Sequence, residues 1–275
     1  MRIGKVVLLA CLVCLGMQFH AQRKYVYRKD RFFVGSFVGM NFTQPIVSDR
    51  YNILEQTPQS AAGDFEKKYK TLAQNRGGNY GLYVSFAYTK YFSLIIQPGF
   101  RSQRFNYMTS YSWEDTLNVT NINKEMLHRQ KISNVSIPVL TRWDFTTRHF
   151  SPFLQVGLSA DFIYFASKSV FYDTKIDGEV DRKSANQSSV GDLTNHMRKF
   201  NVGLVGGGGI TYYRESFAMT LASNVKYGLR NVIDDQKRYS DFTGFGVEYL
   251  DVMDQFKLLD LDIQLTLMIP IHKKW

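Results

Sequence analysis

Cysteine is nearly absent from this chain of 275 residues, which contains only Cys11 and Cys14. Both lie close to the amino terminus, so a chain that has lost a leader of about 20 residues contains none. The absence excludes disulfide bonds, thiol catalysis and thiolate metal sites from the mature protein.

Long apolar runs are also absent, apart from one at the start of the chain. Residues 6–19 are mostly apolar, follow the basic residues Arg2 and Lys5, and precede the small Ala21. This arrangement predicts a secretory signal peptide cleaved after Ala21, because the run is too short and wrongly flanked for a spanning helix. Lipid attachment at Cys11 is the alternative. The mean hydropathy of −0.24 argues against a helical membrane protein.

Acidic residues are outnumbered by basic ones, 24 against 34, which gives a formal net charge of +10. Loss of Arg2 and Lys5 with the leader lowers this charge from +10 to +8. Nucleic acid is excluded as a partner, because an exported chain does not meet it. The densest basic stretch, residues 23–31, predicts either a solvated periplasmic tail or contact with anionic lipid headgroups.

What the chain does contain is a long alternating stretch at its carboxyl end. Between residues 259 and 271 every second residue is a large aliphatic: Leu259, Leu261, Ile263, Leu265, Leu267, Ile269 and Ile271. A period of two predicts a strand. This strand is long enough to cross a bilayer, for which a tilted strand needs about 9 to 11 residues.

Seven further segments repeat this alternation, and their connections alternate in length. The segments are residues 33–41, 80–88, 93–107, 131–143, 151–164, 199–212 and 217–228. Short connections at 89–92, 144–150 and 213–216 alternate with long ones at 42–79, 108–130, 165–198 and 229–256. The pattern predicts an all-β protein, an eight-stranded antiparallel transmembrane β-barrel with short periplasmic turns and four long extracellular loops.

The predicted domain organisation follows from these boundaries. We expect a signal peptide over residues 1–21, a periplasmic segment over 22–32 and the outer-membrane barrel over 33–275. Aromatic residues at the strand ends predict girdles at the headgroup level, where rings are buried and hydroxyls stay hydrated. These residues are Tyr88, Tyr91, Phe92, Trp143, Phe150, Tyr164, Tyr212, Tyr213 and Tyr227.

The predicted interior is polar and filled, since an eight-stranded barrel is just wide enough for its own side chains. Lys226 and Asp260 lie at similar depth on neighbouring predicted strands, so we predict that they pair. We also predict that Arg101 reaches Asp161 across the lumen. These ion pairs would have a structural role, and a proton or ion path is the alternative. Exchange of Lys226 for Glu is expected to lower the melting temperature.

Two patterns resemble chemical sites only weakly. The glycine run of residues 203–210 lacks the Lys and Ser/Thr of a phosphate-binding loop, and no helix follows it. His196 with Asp192, Ser188 and Ser189 could form a hydrolase triad at the barrel rim, although proximity in sequence is weak evidence. No two histidines have metal-ligand spacing. We therefore predict no catalytic, cofactor-binding or metal-binding residues.

Several segments resemble the PorT-like family of outer-membrane barrels. VSIPVLTRW at residues 135–143 and SPFLQVGLSADF at 151–162 are similar to two consecutive strands of that family, and FNVGLVGGGGITY at 200–212 and KYGLRNV at 226–232 match the next two landmarks. The resemblance implies the outer membrane of a Gram-negative bacterium. It also implies protein partners in the type IX secretion pathway, in which the founding member takes part, and it brings no catalytic residues.

The sequence thus predicts a non-enzymatic outer-membrane barrel, an accessory component of protein secretion that binds through its loops or turns. Its expected partners are outer-membrane lipid and proteins of a secretion complex, with no small-molecule substrate. The alternatives are a surface-binding or membrane-stabilising barrel unrelated to secretion and a hydrolase at the barrel rim. Tyr111 and Trp113 in the second predicted loop are candidate exposed anchors, or pack among the loops.

Overall fold

The computed structural model describes residues 32–51, 67–115, 120–147, 149–176, 179–180, 187–214, 216–238 and 251–271. Within these ranges it does not describe the side chains of residues 111–115, 120–124, 172–176, 179–180 and 187–189. The predicted signal peptide, both cysteines, nearly all of segment 22–32 and the side chains of Tyr111, Trp113, Ser188 and Ser189 therefore lie outside the described part.

The described chain forms one antiparallel sheet of twelve strands, as the all-β prediction requires. The strands are β1 Phe32–Asp49, β2 Lys67–Tyr69, β3 Arg76–Ala87, β4 Phe92–Ile96, β5 Gly99–Asp115, β6 Thr120–Asp144, β7 Phe150–Ile176, β8 Glu179–Val180, β9 Gln187–Asp192, β10 Phe200–Tyr213, β11 Ala218–Gly228 and β12 Gln255–Pro270. Two short 3-10 helices, Leu72–Gln74 and Thr194–His196, join them. No helix among the described residues is long and apolar enough to cross a membrane.

The sheet closes on itself. β1 pairs with β12 on one side and β3 on the other. The ladder continues from β3 through β4 and β5 to β6, from β6 to β7, and through β10 and β11 back to β12. Every strand of this ring is thereby paired on both sides over at least part of its described length, which matters because an unpaired backbone group is costly in lipid.

The two ends of the closed sheet differ. At one, here called the turn end, short connections at residues 88–91, 145–149 and 214–217 join the strands, and β1 begins where β12 ends. At the opposite, loop end, β5, β6 and β7 extend furthest, with 17, 25 and 27 residues. β2 adds to β5 there, and β9 adds to β7. We call this extension of β5, β6 and β7, with β2 and β9, the loop-end wall.

Alternation along each strand separates an apolar outside from a filled inside. In β12, residues 256–270 alternate between buried even-numbered positions and more exposed odd-numbered ones. The exposed positions carry aliphatic side chains such as Leu265, Leu267 and Ile269, and similar side chains face outward from the other long strands. We call this band of outward apolar side chains the belt.

Aromatic side chains mark the belt's turn end, at positions named in the girdle prediction. The rings of Phe92 and Trp143 stack at 6.0 Å, and those of Tyr88 and Phe92 at 6.2 Å. Phe150 and Tyr212 pack at 4.8 Å on the neighbouring strands. All except Tyr212 are clearly exposed, which suits rings that meet an interface rather than a core.

Two of the predicted long loops are largely strand. Residues 108–130 belong mostly to β5 and β6, and residues 165–198 include the end of β7 together with β8 and β9. Above the belt the outward positions of β6 are Lys131, Arg129, Leu127 and Glu125. Because polar residues there occupy both faces, the hydrophobic alternation stops although the ladder continues.

The third predicted strand is divided into β4 and β5 at Gln97 and Pro98. Proline has no N–H to donate to the ladder, which accounts for the break. The Gln97 N–H still donates to the Pro138 carbonyl over 3.0 Å, and the Pro98 carbonyl accepts from the Leu82 N–H over 2.9 Å. β4 and β5 therefore follow each other along the same side of β6.

A β-bulge changes the phase of β7. Asn134 of β6 faces Ile163, whereas the preceding Ser133 faces Phe165, so Tyr164 is an extra residue. Tyr164 and Phe165 both point outward. Odd-numbered residues of β7 face inward before the bulge, and even-numbered residues such as Ala166 and Lys168 face inward after it.

Candidate functional site

Buried charges inside the closed sheet form two groups from which a functional site could be built. The lumen network consists of Arg101, Asp161, Lys226, Asp260 and Asp262. The loop-end cluster consists of Lys67, His128, Lys168, Asp251 and Asp254. All ten side chains are buried, so each of these polar groups must find a partner inside the protein.

Arg101 spans the lumen from β5 to β12. Its guanidinium donates to both carboxylate oxygens of Asp262, over 2.9 and 2.7 Å, and its Nη1 lies 3.5 Å from Asp260 Oδ2. Asp260 also accepts from Gln103 Nε2 over 2.6 Å and from Thr43 Oγ1 over 2.6 Å. The network therefore connects β1, β5 and β12 with bidentate geometry, which fixes the position of the guanidinium.

Lys226 on β11 pairs with Asp161 on β7. Its Nζ lies 2.5 Å from Asp161 Oδ1 and 3.4 Å from Ser136 Oγ. β10 runs between these strands and offers Gly203 at the crossing point. A Cβ on Gly203 would lie 3.3 Å from the Lys226 Cε, so the lysine stem passes over a position without a side chain.

The four residues of the predicted lumen pairs thus all take part in ion pairs, but with different partners. Lys226 and Asp260 are register neighbours, as predicted, yet the Lys226 amine binds Asp161. Arg101 binds Asp262 and Asp260 in place of Asp161. Residues opposite each other on adjacent strands project side by side from the barrel wall, whereas the long side chains of Lys226 and Arg101 reach acidic residues on strands further away. Asp260 is already occupied by Thr43 and Gln103.

Apolar and polar layers fill the interior on both sides of this network. Towards the turn end lies a buried cluster of Phe33, Phe37, Tyr83, Ile95, Leu140, Val205, Ala218 and Met268. Below it Arg142 binds Asp144 over 2.5 Å and Thr211 over 2.7 Å, with its guanidinium 3.7 Å from the centre of the Phe153 ring. Towards the loop end lies a second cluster, of Phe105, Tyr107, Ile132, Ile163, Ala166, Leu193, Met197, Val232, Ile233, Met253, Phe256 and Leu258.

The loop-end cluster lies beyond the belt, which on β6 ends near Val135. Asp251 is its centre: it contacts Lys168 Nζ, accepts from the Tyr107 hydroxyl over 2.5 Å, and lies 2.8 Å from Lys67 Nζ. Asp254 accepts from Lys67 over 3.0 Å and from the Tyr69 hydroxyl over 2.7 Å. These contacts hold residues 251–254 inside the mouth of the sheet.

Burial and charge together set the protonation of this cluster. Burial alone would raise the pKa of Asp251, but the neighbouring ammonium groups of Lys168 and Lys67 hold that pKa well below its usual range. Burial lowers the pKa of His128 to about 3, although Asp251 opposes this effect. His128 is therefore neutral at physiological pH. It bonds Thr109 Oγ1 over 2.8 Å and stacks on Tyr107 at 4.6 Å.

Sequence reasoning missed the loop-end cluster entirely. His128 and Lys168 fell in predicted loops, and Lys67 and Asp251 lie far from them in the chain. For β6 a usable pattern exists, since Leu127, Arg129 and Lys131 alternate with inward His128, Gln130 and Ile132. For Lys168 no such pattern is readable from the sequence, because the bulge at Tyr164 changes which residues of β7 face inward.

Among the described residues, the arrangement of His196 and Asp192 does not support the hydrolase alternative. His196 is buried in a 3-10 helix. Asp192 accepts hydrogen bonds from the Thr194 N–H over 2.8 Å and from the Thr194 hydroxyl over 2.5 Å, so this carboxylate serves a local turn. These two hydrogen bonds lower the pKa of Asp192. No hydrogen bond joins Asp192 to His196 within the part of the chain described.

Comparison with known proteins adds a family match. The model of a family described as "outer membrane protein beta-barrel domain" matches residues 18–234. No curated protein matches the chain.

Solved structures give remote likenesses. The outer membrane protein OprG from Pseudomonas aeruginosa is 10% identical, with 88% of this chain and 96% of that chain covered and a TM-score of 0.44. Neisserial surface protein A is 10% identical, with 87% and 97% covered and a TM-score of 0.35. The attachment invasion locus protein Ail of Yersinia pestis is 10% identical, with 86% and 98% covered and a TM-score of 0.33.

Proposed function

Because the chain belongs to the outer membrane protein beta-barrel domain family, and is therefore an outer-membrane protein, we propose that it is a non-enzymatic, non-conducting binding scaffold. In this role the barrel carries a binding surface and keeps it at the membrane, and the most specific task we propose is that of an accessory component of protein secretion. The filled interior is the observation that most directly supports a non-conducting scaffold.

The proposed architecture is an eight-stranded barrel. β4 and β5 count as one strand interrupted at Pro98, and β2, β8 and β9 are additions at the rim. The eight members of the ring are then β1, β3, β4 with β5, β6, β7, β10, β11 and β12. We place the turn end in the periplasm and the loop end outside the cell, since barrels of this kind have short periplasmic turns and longer external segments.

Two apolar clusters and three sets of ion pairs fill the interior between the turn end and the loop end. Passage of an ion would require the Arg101–Asp262 and Lys226–Asp161 pairs to open together with the apolar clusters on either side. Since a buried pair that loses one partner leaves an uncompensated charge, this opening is costly. We expect no conductance steps when the purified protein is inserted into a planar bilayer; regular steps would contradict a scaffold with a closed lumen.

The secretion role follows from the resemblance of residues 135–143, 151–162 and 200–212 to PorT-like barrels. Deletion of the gene in the source bacterium, followed by comparison of surface and secreted proteins with those of the parent, tests this role. We expect a class of exported proteins with a shared carboxyl-terminal sorting domain to remain in the periplasm. Complementation with the unchanged gene must restore their export. Unchanged secretion would remove the secretion role and leave the barrel intact.

The loop-end wall favours a second candidate, a surface-binding barrel unrelated to secretion. β6 and β7 exceed the length needed to cross the bilayer by more than ten residues each. Such an extension presents backbone and side chains to the exterior. This candidate predicts normal secretion in the deletion strain together with loss of a surface property such as adhesion.

A further inference from the structure

Three rows of outward side chains cross β3, β5 and β6 where the belt ends. The first is aromatic and aliphatic, and pairs Tyr80 with Phe100 and Phe100 with Val135. Tyr80 and Phe100 are 61% and 47% exposed and pack at 5.6 Å, so they form the last outward apolar row shared by all three strands; Met108 and Leu127 make a further outward apolar pair on β5 and β6, eight residues beyond Phe100 along β5. The second row consists of the small residues Gly78, Ser102 and Ser133, of which Ser133 is buried beside the bulge in β7.

The third row is basic. Arg104 faces Lys131 in the ladder, and continuation of the β3–β5 register by two residues from Gly78 and Ser102 places Arg76 beside Arg104. Arg129 lies two residues further along β6 and also points outward. We call Arg76, Arg104 and Lys131 the basic row.

These three cations have no partner of opposite charge in the described part of the chain. Arg198, by contrast, is paired with Asp235 over 3.0 Å. The nearest outward acid along β6 is Glu125, six residues beyond Lys131. The row therefore presents three positive charges about 13 Å along the strand from the row of Tyr80 and Phe100, since four residues at about 3.3 Å separate Arg104 from Phe100.

We propose that the basic row binds the phosphate groups of an anionic lipid in the outer leaflet. Acyl chains of such a lipid lie against the belt, and its headgroup lies at the level where the belt ends. Arg and Lys side chains are long enough to reach back towards that level, and guanidinium groups bind phosphate oxygens in bidentate fashion. Between them the small row leaves space: a Cβ added to Gly78 would come no closer than 3.7 Å to another atom.

The inference rests on the proposed orientation, with the loop end outside, but its test does not. The full chain in a non-ionic detergent is titrated with diphosphorylated lipid A, and bound lipid is counted by native mass spectrometry. The triple variant Arg76→Gln, Arg104→Gln, Lys131→Gln is expected to bind roughly a hundredfold more weakly, at about fivefold per cation. Inorganic phosphate at the same concentration should not compete, because the row would bind phosphate only together with the lipid chains.

A matched control removes equal charge elsewhere. The variant Arg214→Gln, Arg230→Gln, Lys237→Gln also loses three exposed cations, and should bind lipid A within about twofold of the unchanged protein, since only surface charge distant from the row is altered. Equal loss in both variants would mean general charge attraction and would overturn the proposal, as would unchanged binding by the basic-row variant. Competition by inorganic phosphate would show a free-anion site instead.

The variant Gly78→Leu keeps all charges and fills the small row, and should also weaken binding.

Discussion

At the scale of single residues, the lumen depends on a lysine that reaches its partner over a glycine. Lys226 and Asp161 are both buried, and the path between them is open because Gly203 has no side chain. Alternation along the strands predicted that these residues face inward. It could not predict partners, because pairing depends on which strands a long side chain can cross and on which acceptors are already occupied.

We predict strong coupling between Lys226 and Asp161. Lys226→Met leaves a buried carboxylate without its cation and should cost about 3 to 5 kcal/mol in the free energy of unfolding. The double variant Lys226→Met, Asp161→Asn removes both charges and should recover much of that loss. Urea unfolding in detergent, followed by tryptophan fluorescence, measures the four proteins of the cycle. Simple additivity of the two single changes would contradict the pair.

His128 makes the loop end sensitive to acid. Its pKa falls to about 3 in the folded protein, against 6.5 in the unfolded chain. Between these values the unfolded chain binds a proton that the folded one does not, so stability falls as the pH drops from 6.5 towards 3. The loss attributable to this residue is on the order of 5 kcal/mol at the acid limit.

Hydrogen exchange of residues 126–130, corrected for the intrinsic pH dependence, should therefore accelerate as the solution is acidified. His128→Gln keeps a polar partner for Thr109 and removes the titration, so its exchange should change much less between pH 6.5 and 4.5. Burial would raise the pKa of Asp251, but Lys168 and Lys67 hold it well below its ordinary value of 3.8, so this carboxylate stays ionised in that window. Equal acceleration in both proteins would show that another group is responsible.

At the scale of elements, the bulge in β7 joins two stretches of opposite phase. Inward residues are odd-numbered up to Ile163 and even-numbered from Ala166 onward. Deletion of Tyr164 would turn the bulge into a regular ladder without changing the direction of any other side chain. We predict that this deletion is tolerated, at a cost below about 2 kcal/mol, which is the scale of an ordinary point change.

Deletion of Leu158 is the matched control, since Leu158 is equally exposed but lies in a regular part of the same strand. It reverses the residues between Leu158 and the bulge, so Asp161 would face lipid and lose Lys226. This variant should not fold. Heat-dependent migration on denaturing gels distinguishes folded from unfolded barrels, and equal behaviour of the two deletions would refute the role of the bulge.

The predicted elements were most accurate where one face meets lipid. Alternation located the turn-end halves of β6, β7, β11 and β12, because aliphatic residues such as Leu154 and Leu265 face a purely apolar medium. Beyond the belt both faces of β6 are polar, as Arg129 and Gln130 illustrate, and strand could not be told from loop. The bulge at Tyr164 made β7 appear to end twelve residues before its last residue, Ile176.

At the scale of the whole molecule, closure and the filled interior define two ends of one closed sheet. The proposed orientation predicts which end is accessible from outside the cell. Val190→Cys on β9 is at the loop end, where the native side chain is 71% exposed, and Thr89→Cys lies in a turn at the opposite end. A membrane-impermeant maleimide should label Val190→Cys in intact cells and Thr89→Cys only after permeabilisation.

Both variants are made with Cys11 and Cys14 left in place, since cleavage of the predicted leader removes them. Labelling of the unchanged protein reveals whether they persist. The opposite labelling pattern would invert the orientation and would move the basic row to the inner leaflet.

Among the described residues, the loop-end wall stands only on the side of β5, β6 and β7. β10 and β11 have 14 and 11 residues, against 25 and 27 for β6 and β7. The molecule therefore has a front and a back in the plane of the membrane. In the described part of the chain, β10 and β11 form the lower side, along which a neighbouring membrane protein can pack, while a partner arriving from the medium meets the taller side first. We therefore expect rotation about the membrane normal to decide which side of the protein meets which neighbour.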